Sequence, residues 1–369
     1  MKYYIIAGEA SGDLHGSNLI IQLKKQDANA SFRCWGGDLM QNAGGNLVKH
    51  YKELAFMGFI EVVKNLPAIL RNLAFCKQDI QAFNPDILIL VDYPGFNLRI
   101  AEWAKKNLSL KIVYYISPQV WAWKSGRVKK MKECIDKMLV ILPFEKAYFQ
   151  HTWHWDVQYV GHPLIEVIDR YKKENPIPKS ISNKPIIALL PGSRKQEIAA
   201  KLPIMLAVSK HFPNYQFIVA QAPGMEASFY EQFTQPYPNV SASQNKTYDL
   251  LMQSSAALVT SGTATLETAL FKVPQIVCYK TSNISYAIGK RLVKIKFISL
   301  VNLIMDQLVV KEFIQDALNN QNLVEELRHL LTNENYQQKM QENYQQLWEI
   351  LSKGGAASQQ AAKAIVSLV

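Results

Sequence analysis

The apolar run 86–91 ends on Asp92-Tyr93-Pro94-Gly95-Phe96-Asn97. A carboxylate at the carboxyl end of a buried strand is placed to take a proton from an attacking hydroxyl, the work of a general base. Capping the helix that follows is the competing role for that side chain. Two further loops, Leu189-Leu190-Pro191-Gly192-Ser193-Arg194 and Thr260-Ser261-Gly262-Thr263-Ala264-Thr265-Leu266-Glu267, each close an apolar run and open a helical pattern. Backbone N–H groups at such a helix start, with the hydroxyls of Ser193, Ser261, Thr263 and Thr265, suit phosphate oxygens. Arg194 adds a planar, permanently charged donor fork. Glu267, one turn into its helix, is placed to accept from ribose hydroxyls. Helix capping would account for either loop alone; both on neighbouring strands of one sheet point to a diphosphate.

Two more loops follow the same design. Gly8-Glu9-Ala10-Ser11-Gly12-Asp13-Leu14-His15-Gly16 leaves the first apolar run. It is not GxGxxG, and no acidic residue follows at the ribose position, so a dinucleotide site is not expected. Ser117-Pro118-Gln119-Val120-Trp121-Ala122-Trp123-Lys124 ends another run. Its two tryptophans suit either the core or a platform for a sugar and its acyl chains.

The elements that must position these loops are short apolar runs at 3–7, 86–91, 111–116 and 138–142, separated by segments of helical periodicity. Strands alternating with helices imply βαβ units and a mainly parallel sheet. A polar stretch with two prolines, 171–184, suits an interdomain connection. A second series follows, with runs at 185–190, 215–220, 256–260 and 273–279. The expected fold is α/β, two Rossmann-like doubly wound domains facing a cleft, with a helical C-terminal segment. The expected bounds are 1–170, a linker at 171–184, a second domain at 185–345 and a C-terminal helix at 346–369. In such sheets ligands bind at the carboxyl ends of the strands.

A chain of 369 residues is long enough for two cores. The formal net charge of +11 calls for an anionic partner. There is no zinc-finger spacing, RNP-like motif or dense Lys/Arg run, so nucleic acid is not expected. Cys34, Cys76, Cys134 and Cys278 are scattered without CxxC or metal-ligand spacing, the usage of reduced thiols in the cytoplasm. The N-terminus lacks a secretory pattern, and no run reaches the ~20 apolar residues that span a bilayer. In 56–73, Phe59, Val62, Val63, Leu66, Ile69, Leu70 and Leu73 recur at three- and four-residue spacing, with Lys64 and Arg71 among them. Pro67 breaks the pattern and can divide it into two short helices. The stripe either packs on the first sheet or docks on an anionic membrane surface, which the positive charge favours; docking is the expectation.

Taken in order, GEASGD from Gly8, MGFIEV from Met57, DYPGFN from Asp92, SPQVWAWK from Ser117, LPFEK from Leu142, VGHP from Val160, LLPGSR from Leu189, SGTATLE from Ser261, KRLVK from Lys290 and SLVNL around Asn302 resemble the lipid-A-disaccharide synthase family. The resemblance spans most of the chain. It implies an inverting glycosyltransferase of GT-B fold that moves a sugar from UDP-2,3-diacylglucosamine to 2,3-diacylglucosamine 1-phosphate. It further implies a peripheral enzyme on the cytoplasmic face of the inner membrane. Asp92 would act as the base, with Glu9, Ser11, Asp13, Ser117, Gln119, Trp121 and Trp123 in acceptor-side loops. Gly192, Ser193, Arg194, Ser261, Gly262, Thr263, Thr265 and Glu267 would hold the UDP-sugar, joined by Lys280, Arg291 and Asn302. No cofactor is implied, and no DxD-like pair stands out to hold a metal. A homodimer stays open, as does whether its late residues act in their own chain. Two departures from the family pattern are Gly95, where a second Asp is frequent, and Lys124, where Arg is common. The rivals are another GT-B enzyme such as a UDP-N-acetylglucosamine epimerase, and a nonenzymatic UDP-sugar or anionic-membrane binding protein.

Overall fold

The computed structural model describes residues 1–54, 66–223, 225–292 and 295–368. They form two compact units, Met1–Pro163 with Leu351–Val369, and Leu164–Ile350.

The first unit is built on seven strands: β1 (Lys2–Ala7), β2 (Ser31–Gly36), β3 (Asn46–His50), β4 (Ile87–Val91), β5 (Lys111–Tyr115), β6 (Lys137–Val140) and β7 (Gln158–Tyr159). Their order is β3-β2-β1-β4-β5-β6-β7, and every neighbouring pair is parallel. Side chains alternate between two buried faces. Tyr4, Ile6, Leu88, Leu90, Ile112 and Tyr114 pack with Leu73, Cys76 and Ile80 of the helix Leu66–Phe83 and with Phe96, Ile100 and Ala104 of the helix Pro94–Asn107. Tyr3, Ile5, Ile87, Ile89 and Val113 pack on the other face with Leu19, Ile20 and Leu23 of the helix Ala10–Gln26. Both faces being covered is why these strands read as unbroken apolar runs.

The chain returns to this unit at its end. Ala361, Ala362 and Ile365 of the helix Ala357–Val366 join the second face. The return is secured by backbone contact: a Cβ built on Gly354 would lie 2.2 Å from the Gly161 nitrogen, and one on Gly161, at φ +88°, would lie 2.5 Å from the Gly355 oxygen. Gly354→Ala is therefore expected to cost about 3 kcal/mol by overpacking, lowering the melting temperature by roughly 6–12 °C. Gly126→Ala, where an added Cβ meets nothing within 4 Å, is the control. Equal melting of the two variants would show that the close approach carries no stability.

The second unit holds β8 (Ile186–Leu190), β9 (Gln216–Gln221), β10 (Val240–Gln244), β11 (Ser254–Thr260), β12 (Gln275–Tyr279) and β13 (Lys311–Ile314) in the order β10-β9-β8-β11-β12-β13, again all parallel. The polar stretch 171–184 begins in the last turn of the helix Pro163–Glu174. Tyr171 there donates its hydroxyl to Asp249 at 2.7 Å, and Lys172 donates to the Leu270 carbonyl at 2.9 Å. The opening of that stretch is thus anchored to the second unit. Among the described residues no helix is long and apolar enough to cross a membrane.

Candidate active site

In each sheet the strand order reverses once, between β1 and β4 and between β8 and β11. Loops leaving such a pair diverge to opposite faces and leave a crevice at the carboxyl ends. The sequence-predicted loops at Gly8 and Asp92 flank the first crevice, and those at Gly192 and Ser261 flank the second.

At the first crevice Ala7 and Val91 are paired in register, so Gly8-Glu9 and Asp92-Tyr93 emerge side by side. Asp92 and Tyr93 both take left-handed backbone, φ 43° and 49°, a conformation that costs on the order of 1–3 kcal/mol per residue. The surroundings enforce it. The Asp92 carbonyl accepts from the Tyr114 hydroxyl at 2.6 Å and from the buried Asn97 amide at 2.7 Å, while the Asp92 N–H donates to the Tyr115 carbonyl at 3.1 Å. Gly8 makes room for the result, since a Cβ there would sit 2.3 Å from the Tyr93 ring. Burial, and then the Glu9 carboxylate, push Asp92 up to about 6, against a hydrogen bond from the Tyr93 N–H. A half-buried carboxylate of that basicity is matched to accepting a proton near neutral pH.

The other first-unit residues divide. Glu9 belongs with Asp92 through its charge. Asp13 is engaged by the fold: its carboxylate accepts from the backbone N–H groups of Gly37, Leu39 and Met40 at 2.8–3.2 Å and holds the turn after β2. Ser11 and Gln119 are exposed, and Ser117 is buried with its hydroxyl on the Pro118 carbonyl. Trp121 is half-buried, set edge-on to Phe144, and donates its indole N–H to Glu145 at 3.2 Å. Trp123 is exposed with the Lys124 ammonium 4.2 Å from its ring centre. Glu145 was not among the sequence candidates. It is buried at the carboxyl end of β6 and pushed up to about 8 by that burial. Its signal was the Pro143-Phe144-Glu145 helix start, which reads as capping; Leu142 N–H indeed donates to it at 3.0 Å.

Of the membrane candidates, Phe59, Val62 and Val63 lie outside the described residues. Leu66 opens the helix Leu66–Phe83. Ile69 is partly buried against the core, whereas Leu70 is 53% exposed.

At the second crevice a cavity of about 460 Å³ is lined by Gly192, Ser193, Arg194, Thr260, Ser261, Gly262, Thr263 and Glu267, with Gln221 to Pro223 and Thr247 at its sides. Gly192 and Gly262 have φ +122° and +130°, backbone that a side chain would strain. The Arg194 side chain is 60% exposed and makes a long contact of 3.5 Å with Glu197. Glu267 accepts from the Tyr248 hydroxyl at 2.9 Å and is pushed up to about 7 by burial; Tyr248 is a partner that the sequence reading did not include. Two hydroxyls are engaged inside the fold: Thr265 donates to the Gly262 carbonyl at 2.8 Å, and Ser261 to that of Ile298 at 2.7 Å. Asn302 is also a structural group. Its amide oxygen accepts from Val309 and Val310 N–H, and its amide nitrogen donates to the Val310 carbonyl and to Glu312, all within 2.8–2.9 Å. Lys280 and Arg291 do not line the cavity. A larger open hollow of about 810 Å³ lies at the amino ends of β4 and β5. There Asp86 and Asp136 hold backbone N–H groups of Lys2 and Ile112, so it is a structural seam.

Two doubly wound parallel units, one presenting a basic carboxylate and the other a glycine-and-hydroxyl nest with an arginine, form the architecture of the GT-B glycosyltransferases. Residues 3–366 match the family model described as lipid-A-disaccharide synthetase, and the chain belongs to that family. The lipid-A-disaccharide synthase of Syntrophus aciditrophicus (strain SB) is 37% identical over 370 residues, covering 98% of this chain and 96% of that protein. Among solved structures, UDP-GlcNAc 2-epimerase from Neisseria meningitidis bound to UDP-GlcNAc superposes with a TM-score of 0.66 at 14% identity, covering 100% of this chain and 99% of its own. The glycotransferase of kitacinnamycin gives 0.67 at 11% identity, covering 99% and 98%. At those identities the likeness is one of fold.

Proposed function

We propose that the protein transfers 2,3-diacylglucosamine from UDP-2,3-diacylglucosamine to the 6-hydroxyl of 2,3-diacylglucosamine 1-phosphate. The products are the β-1,6-linked lipid A disaccharide 1-phosphate and UDP. The observation that carries this reading is the family membership over nearly the whole chain, together with Asp92 held at the first crevice. Asp92 takes the hydroxyl proton as that oxygen attacks the anomeric carbon, and the configuration inverts. The bond to UDP breaks, and the diphosphate charge is met by the N–H groups of the Gly192 and Gly262 loops and by Arg194. With those groups the reaction needs no metal.

Incubation with both diacylated sugars in excess chelator should release UDP and disaccharide in equal amounts. Loss of activity to chelator with rescue by magnesium would refute the metal-free step. Epimerised UDP-sugar without disaccharide would support the epimerase reading instead.

We also propose that the enzyme works as a peripheral protein on the cytoplasmic face of the membrane. Support comes from the +11 charge, from four cysteines that are all free and buried, and from Leu70 and Phe75, which are 53% and 44% exposed on a helix whose opposite face is core. Leu70→Ser combined with Phe75→Ser should stay folded and lose most co-sedimentation with anionic liposomes. Undiminished co-sedimentation would place the contact elsewhere.

A further inference from the structure

Lys201 lies on the helix Lys195–Ala207 and is only 3% exposed. Its ammonium donates to the Thr260 hydroxyl oxygen. Among the described residues no carboxylate comes within ion-pair distance of it, and Glu197, whose charge acts on it, is drawn instead toward Arg194. A buried ammonium without a counter-charge is costly, and burial pulls Lys201 below its ordinary range.

Its position gives that cost a purpose. A Cβ built on Gly192 would stand 3.6 Å from the ammonium nitrogen, so the charge lies directly behind the glycine turn. Thr260 lines the cavity. Its oxygen already accepts from Lys201, and among the described residues its own hydrogen has no acceptor. A hydroxyl polarised in this way is a preset donor toward an anion in the cavity.

We propose that Lys201 is a positioning residue of the nucleotide-sugar site. Its ammonium orients the Thr260 hydroxyl toward a diphosphate oxygen and places a fixed positive charge beneath the Gly192 turn. The proposal rests on the reading that this cavity takes the nucleotide diphosphate.

Calorimetry with UDP and with uridine separates the two. The wild-type protein should bind UDP more tightly than uridine. Lys201→Met and Thr260→Val should each weaken UDP binding by about 10- to 100-fold, the range for a hydrogen bond to a charged group. Uridine binding should stay within twofold, and the double variant should fall short of the product of the single losses because the two groups act as one unit. Thr260→Ser, which keeps the hydroxyl, should bind UDP like wild type. A merely structural lysine would change uridine and UDP binding alike, or neither. UDP affinity within twofold of wild type in a folded Lys201→Met variant would overturn the proposal. Should that variant not fold, the same result for Thr260→Val would overturn it. A wild-type protein that does not prefer UDP to uridine would overturn the reading of the cavity, and this proposal with it.

Discussion

Asp92→Asn is expected to fold normally and to lose about 10²- to 10⁴-fold in transfer rate, the usual effect of removing a general base. Asn is nearly isosteric and tolerates left-handed backbone well, so the hydrogen bonds of Tyr114 and Asn97 to the residue 92 carbonyl should survive. Wild-type kcat/KM should fall tenfold per pH unit below about 6, where Asp92 takes up its proton. Stability should move the opposite way. The folded pKa stands above the ordinary carboxylate value, so the contribution of Asp92 is most favourable below pH 4 and is lost as pH rises through about 6. At pH 7.5 the ionised carboxylate is a liability, and Asn should leave the melting temperature unchanged or higher. Activity within threefold of wild type in a folded variant would sink the base assignment. A melting temperature several degrees lower would mean that the carboxylate serves the fold.

Arg194→Ala is expected to cost about 10- to 100-fold in kcat/KM for the UDP-sugar, the loss of a charge-assisted contact to the departing diphosphate. The side chain is mostly exposed and its contact with Glu197 is long at 3.5 Å. Little of the fold depends on it, and exposed pairs of this kind are worth at most about 1 kcal/mol. The variant should melt like wild type. Arg194→Lys should recover only part of the loss, because an ammonium restores charge without the planar fork. Equal affinity of wild type and Arg194→Ala for UDP in calorimetry would move the diphosphate contact to other residues.

The parts of the fold legible in the sequence share one physical property. β1, β4, β5, β6, β8, β9, β11 and β12 all stand inside their sheets, with neighbours on both sides and helices over both faces. They read as apolar runs because nearly every side chain is buried. The four edge strands, β3, β7, β10 and β13, show no such run; Val240–Gln244, for instance, is Val-Ser-Ala-Ser-Gln, with Ser241, Ala242 and Gln244 exposed to solvent. β2 is interior yet also hidden, because Arg33 interrupts it. The partner that makes this arginine tolerable is Asp79, whose carboxylate accepts from the Arg33 Nε and Nη2 groups in three hydrogen bonds of 2.6–3.0 Å. No local pattern announces a partner so distant in sequence.

The sequence by itself therefore determined the class of fold, the family, and which loops leave the carboxyl ends of central strands. These depend on residue type and on spacing over a few positions, where burial and helix starts leave local signatures. Only the tertiary structure decided which polar side chains in those loops are free to act. Asp13 and Asn302 stand in segments that the sequence singles out, yet the fold engages both side chains: Asp13 holds backbone N–H groups at Gly37 to Met40, and Asn302 bonds to the backbone at Val309 and Val310 and to Glu312. Lys201 looks like any surface lysine until the fold buries it against Thr260. The same holds for the return of Ala357–Val366 to the first sheet and for the raised pKa of Asp92. Hydrogen-bond partners, desolvation and electrostatic neighbours are set by distances in space, between residues that the chain keeps tens or hundreds of positions apart.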